Sequence, residues 1–156
     1  MIFVTTGTQL PFPRLIDAMN AIAKDLDEHI VAQIGPDQAA YPNIECVHEL
    51  TPAKFKALFE EARVIIAHAG IGTILSAKAA QKPLVILPRR HALAEHRNDH
   101  QLATAKQVAN IPGIHVAWTE TELSNLLKQD KLVPAETGPG PHAQALLQRL
   151  KTFIDA

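Results

Sequence analysis

Apolar residues along the chain fall into two alternating patterns. Short dense runs occur at Ile2–Thr5, Ile30–Ile34, Ile44–Val47, Val64–Ala67, Leu84–Leu87 and Ile114–Trp118. Several are β-branched, and all are bounded by Gly, Pro or polar residues, which predicts strands. Between them the apolar positions recur every three or four residues. Pro13–Asp25 carries them at 15, 16, 19, 22 and 23, and Leu26 continues the stripe. A second helix is predicted from Thr51-Pro52, an N-cap followed by proline at the first helical position, to about Ala62. Others are expected from Gly70 to near Ala80, from about His96 to Ala109, and from Glu120 to Lys128 behind Thr119. The last, His142 to Ile154, has apolar residues at 146, 147, 150, 153 and 154 and would pack on its own sheet or on a partner.

Repeated strand–helix alternation predicts an α/β fold, a Rossmann-like open parallel sheet of about six strands with helices on both faces. Leu84–Leu87 contains no polar residue, as expected of a strand covered on both sides. The 156 residues suit a single domain spanning 1–156. With 47 % hydrophobic and 20 % charged residues and a net charge of −1, the composition is that of an ordinary globular chain. The scattered charge argues against a nucleic-acid partner. The lone Cys46 forms no internal disulfide, lies in a predicted strand and reads as a small core residue. The start, MIFVTTGTQLP, lacks the basic region of a signal peptide, and Val64–Ala77 falls short of the ~20 apolar residues of a spanning helix. Membrane contact is therefore expected to be peripheral or through a partner.

Three predicted strand–helix loops carry the candidate chemistry, at the end of the sheet where open α/β folds bind ligands. The first is Thr5-Thr6-Gly7-Thr8-Gln9, whose glycine admits close backbone approach and whose hydroxyls can donate to phosphate; a plain turn is the alternative. The second is His68-Ala69-Gly70-Ile71-Gly72-Thr73. Its helix start offers N–H groups and a dipole to an anion such as a diphosphate. His68 either touches the ligand or is a core histidine. The third runs from Pro88-Arg89-Arg90-His91 through Glu95-His96-Arg97-Asn98-Asp99-His100-Gln101. Its arginine pair suits phosphate or a sugar carboxylate, the alternative being a solvated loop. His96 and His100 at i, i+4 would share a helix face, but Arg97 stands where a metal-hydrolase helix has glutamate, and no metal is expected.

These segments resemble a known family. His68-Ala-Gly-Ile-Gly-Thr73, Lys82-Pro-Leu-Val-Ile-Leu-Pro88, Glu95-His-Arg-Asn-Asp-His-Gln101 and the opening Ile2-Phe-Val-Thr-Thr-Gly-Thr-Gln9 are similar to the C-terminal domain of glycosyltransferase family 28. The likeness extends to its stand-alone members, namely bacterial exopolysaccharide subunits of the PssE type and the soluble subunit of the eukaryotic two-chain UDP-GlcNAc transferase. It implies the C-terminal half of a GT-B fold, binding a UDP-sugar, with no cofactor. A membrane-anchored partner subunit would bind a lipid-linked saccharide acceptor and supply the catalytic base, which would hold this chain at the inner face of the cytoplasmic membrane. Transfer would be inverting and metal-independent; a non-catalytic enhancer role is the alternative. By position, the resemblance assigns Gly7, Thr8 and Gln9 to the diphosphate. It assigns Ile71, Gly72 and Thr73 to phosphate and ribose, His100 and Gln101 to the donor sugar, and Leu50 and Thr51 to uracil. Ser76 stands where a relative has a ribose-binding glutamate. His68, Gly70, Arg89, Arg90, His96 and Asn98 complete the expected donor site, and Glu95 and Asp99 are candidate bases on this chain.

Overall fold

The computed structural model describes residues 1–7, 10–96, 98–129 and 132–135. Within them lie β1 (Ile2–Thr5), α1 (Pro13–Ala23), β2 (Ile30–Gln33), β3 (Glu45–Val47), α2 (Pro52–Glu61), β4 (Val64–Ala67), α3 (Ile71–Ala80), β5 (Leu84–Ile86), α4 (His100–Val108), β6 (Ile114–Val116) and α5 (Glu120–Leu127). The strands form one parallel sheet in the order β3-β2-β1-β4-β5-β6. The expected α/β Rossmann-like architecture is thus observed.

Strand side chains alternate between two cores. Ile2, Val4, Val64, Ile66 and Val85 face Leu15, Ile16 and Met19 of α1 and Leu123 and Leu127 of α5. Phe3, Ile65, Ala67, Leu84 and Ile86 face Phe59 of α2, Ile74 and Ala77 of α3, and Ala105 and Val108 of α4. Burial on both faces explains why β1, β2, β4 and β5 lack the polar alternation of half-exposed strands. The two edge strands, β3 and β6, are partly exposed.

Local chemistry sets the helix boundaries. Thr51 caps α2, its Oγ1 accepting from Lys54 N at 3.2 Å, and Thr119 caps α5 through Glu122 N at 3.2 Å. α4 begins at His100 rather than near His96. Residues His91–Leu93 form a 3-10 turn closed by Ala94 in the left-handed region, φ 57°. Asp99 Oδ1 then accepts from His91 N, and Asn98 Oδ1 from His100 N. These side chains satisfy the backbone locally and so compete with helix formation. His96 and His100 therefore share no helix face, and the arrangement that would have paired them on a metal is lost. Helix formation over 142–154 and most of the loop from Pro134 to Pro141 lie outside the described residues. Among the described residues no helix is long and apolar enough to cross a membrane.

Thr51→Ala removes the acceptor at the start of α2. It should lower stability by about 1 kcal/mol in urea denaturation without altering the sheet.

Candidate functional site

The site follows from strand order. β1 and β4 are adjacent, but β1 leads to α1 on one face and β4 to α3 on the other. Their connections diverge and leave a crevice at the carboxyl ends of the strands. The last rung of the sheet aligns Gln33, Thr5, Ala67 and Ile86, so the residues that follow them emerge side by side. A hollow of about 250 Å³ there is lined by Thr6, Gly7, Leu10, His68, Arg89, His96 and Gln101.

Two glycines border the His68 ring. A Cβ on Gly70 would lie 2.8 Å from His68 Cε1, and one on Gly7 would lie 3.4 Å from Nε2. Gly7 also has φ +78°, a region costly for other residues. Gly72, by contrast, has open space around it. Gly70 occupies the N-cap of α3 beside the His68 ring and makes no side-chain capping bond, so the start of the helix lies next to the crevice without a side-chain cap of its own. Burial, with Arg89 and His96 nearby, holds the His68 pKa down at about 4, so the ring is neutral at physiological pH.

Gln101, placed by the first turn of α4, lies inside rather than at the rim and is 8 % exposed. Its Oε1 accepts from Ala69 N at 3.2 Å and Arg89 N at 3.0 Å, and its Nε2 lies 3.0 Å from His68 Nδ1. Gln101, expected to meet the donor sugar, lines the hollow while its amide also joins the residues that follow β4 and β5.

Arg89, expected to meet phosphate or carboxylate, lines the hollow but is also an internal residue. It is 2 % exposed. Its NH1 donates to Pro11 O (2.7 Å) and Glu95 O (3.2 Å), and its NH2 to Thr6 O (2.8 Å) and Leu10 O (2.9 Å). The guanidinium lies 4.6 Å from the centroid of the Phe12 ring. Desolvation lowers its pKa to about 10, which leaves it a cation near neutrality. The hydroxyls of Thr5 and Thr6 are likewise directed inward, to Gln33 Oε1 (2.8 Å) and Gln33 O (3.2 Å), and not to a phosphate.

Neither candidate base on this chain stands ready. Glu95 is fixed by Arg14 through Nε–Oε2 at 2.8 Å and NH2–Oε1 at 2.9 Å, with Arg90 N donating to Oε1 as well. Asp99 holds the 3-10 turn. Arg90 donates to Trp118 O at 2.8 Å, which ties β5 to β6. His96 borders the hollow, His100 is half-buried at the start of α4, and Asn98 serves that turn. Ile71 and Thr73 are half-buried on the first turn of α3, beside exposed Gly72. Ser76 is exposed and lines a separate groove of about 300 Å³ with Phe55 and Phe59. Leu50 is half-buried and Thr51 exposed at the entrance of α2. Thr8 and Gln9 lie outside the described residues.

Sequence reasoning missed Arg14 and Gln33. Each carried a signal: Arg14 is a cation in the first turn of α1, where the helix dipole disfavours it, and Gln33 is a polar residue ending an apolar strand.

Residues 1–147 match the family described as glycosyltransferase family 28 C-terminal domain. The chain belongs to that family. No curated protein matches it in sequence. Solved structures with the same fold include an NMR structure of ALG13, with TM-score 0.64 and 18 % identity, covering 94 % of both chains. Another is Acinetobacter baumannii MurG, with TM-score 0.60 and 22 % identity over 94 % of this chain and 49 % of that one. The kitacinnamycin glycotransferase aligns with TM-score 0.59 and 22 % identity over 97 % of this chain. This family 28 chain spans only 38 % of that transferase.

Arg89→Met leaves the β1–α1 loop without its cation and should cost about 3 kcal/mol or more in urea denaturation. His68 titrates below its unfolded value, so its contribution to stability is present above about pH 6.5 and is lost as pH falls toward 4. Over that window wild type should take up about one more proton on unfolding than His68→Gln, read as a steeper pH dependence of stability.

Proposed function

We propose that this chain is the donor-binding subunit of a bipartite inverting UDP-sugar glycosyltransferase that acts on a lipid-linked acceptor in polysaccharide biosynthesis. The carrying observation is the crevice between β1 and β4, where His68, the Gly7 turn and the N-terminus of α3 converge. N–H groups at a helix start, with the dipole behind them, suit the diphosphate of a nucleotide sugar. Family membership supplies the reaction class.

In this reading an acceptor hydroxyl oxygen bonds to the anomeric carbon as the bond from that carbon to the diphosphate oxygen breaks. The electron pair leaves with UDP, and the hydroxyl proton passes to a base. The helix start and the His68 Nε2 edge stabilise the charge growing on the departing diphosphate. The engagement of Glu95 by Arg14 favours a base on the partner. The fold supplies one wall of a two-domain cleft, and its mutual coverage with ALG13 supports a subunit of this size. The partner carries the membrane anchor and the acceptor site, placing this chain at the cytoplasmic membrane surface. Ile71, Gly72 and Thr73 contact phosphate and ribose, and no metal takes part.

Calorimetry with UDP should show binding by this chain alone or with its partner; no binding in either form would overturn the reading. Gly70→Ala, which drives a methyl group into the His68 ring, should weaken UDP binding about tenfold or more, and Thr73→Val should weaken it less. Sugar transfer by the two-chain complex should fall in parallel; transfer unaffected by both changes would indicate a non-catalytic subunit.

A further inference from the structure

The hydrogen bonds around Gln101 determine more than its own orientation. Its Oε1 accepts from two backbone N–H groups, Ala69 and Arg89, which can only donate. Reversing the amide would set an NH2 against both and orphan them in a buried site. The nitrogen is therefore the atom 3.0 Å from His68 Nδ1, and an amide nitrogen only donates. Nδ1 must present its lone pair. In the neutral ring the single proton then resides on Nε2, the atom nearest the Gly7 turn.

We infer that Gln101 is a positioning residue: through its amide it fixes His68 as the neutral tautomer whose Nε2–H faces the crevice, so that an anion meets an oriented neutral donor there. The inference rests on the donor-binding reading and extends it from contact to control of a tautomer.

The surroundings agree. The loop after β5 contributes the Arg89 guanidinium and the segment before α4 contributes His96, and both disfavour a charged His68. β1 and its turn contribute Thr6 and Gly7, which carry no charge, and α4 contributes the Gln101 amide itself. Positive potential in the crevice thus comes from the α3 terminus and Arg89, neither of which titrates near neutral pH, and from His96, which lines the same hollow. Anion affinity should accordingly change little with the charge state of His68 between about pH 6 and 8.5.

Gln101→Glu separates a structural role from a tautomeric one. One carboxylate oxygen can still accept from Ala69 N and Arg89 N, while the other now requires a proton on Nδ1. Histidine ¹⁵N spectra of the full chain without ligand should show Nε2 protonated and Nδ1 unprotonated for His68 in wild type. In Gln101→Glu they should show Nδ1 protonated, with the ring titrating near neutrality. Binding of UDP-glucose, whose diphosphate diester does not titrate in this range, should vary less than about twofold from pH 6 to 8.5 with Gln101 in place, both proteins being compared in a His96→Gln background so that the other histidine of the hollow does not contribute. In the variant it should weaken about tenfold or more as pH rises and the Nε2 proton is lost. An Nδ1–H tautomer in wild type overturns the inference, and it does so even if the variant fails to fold. So does a folded variant with the wild-type tautomer and a flat profile. Absence of UDP-glucose binding in wild type, with the tautomer as expected, counts against the donor-binding reading alone.

Discussion

A buried guanidinium organises this end of the molecule. Arg89 leaves the tip of β5 and gathers the carbonyls of Thr6, Leu10, Pro11 and Glu95 around one planar fork. Carbonyl oxygens at strand ends and in loops have lost their ladder partners, and a cation with several rigid donors satisfies many of them at once. The arrangement holds the β1–α1 turn against β5, across the end of β4. Gly7 faces His68 only while that turn stays in place. The crevice is therefore held open by an interaction whose hydrogen bonds run to the backbone.

A second layer is built on this frame. Arg14 crosses from α1 to Glu95 and Glu120 and accepts a position where the helix dipole opposes it. Gln33 anchors Thr5 at the end of β1 and Thr6 just after it, and Gln101 joins the loops after β4 and β5. The strand tips are thus stitched side by side mainly by side-chain-to-backbone bonds. The hydrophobic cores fix where the strands run, and these polar ties fix how their ends diverge.

The sheet was legible in the sequence because burial on both faces leaves a strong mark. Val64–Ala67 and Leu84–Ile86 can lose their polar residues only if helices cover both sides, and the proline and glycine residues around them set the turns. Helices capped by Thr51 and Thr119 were readable for the same local reason. The start of α4 was not. Periodicity registers helix-compatible residues from His96 onward, but Asn98 and Asp99 bond to nearby backbone, and Arg14, distant in sequence, claims Glu95. The site divides in the same way. That glycines and a histidine gather at strand tips could be read from their order along the chain. Which polar residues turn outward could not, since Arg89 and Gln101 take their inward roles from partners on other elements. A polar run after an apolar strand marks the right end of the sheet without distinguishing scaffold from contact.

Among the described residues all four acceptors of Arg89 are main-chain oxygens. The clamp reads the path of the backbone and is indifferent to the side chains along it. Leu10 and Pro11 are exposed at this rim while their carbonyls point inward. Such a design separates inheritance of form from inheritance of preference. Residues around the mouth can drift, altering what is admitted, while the frame behind them stays constant, and one architecture can serve many related substrates without being rebuilt for each.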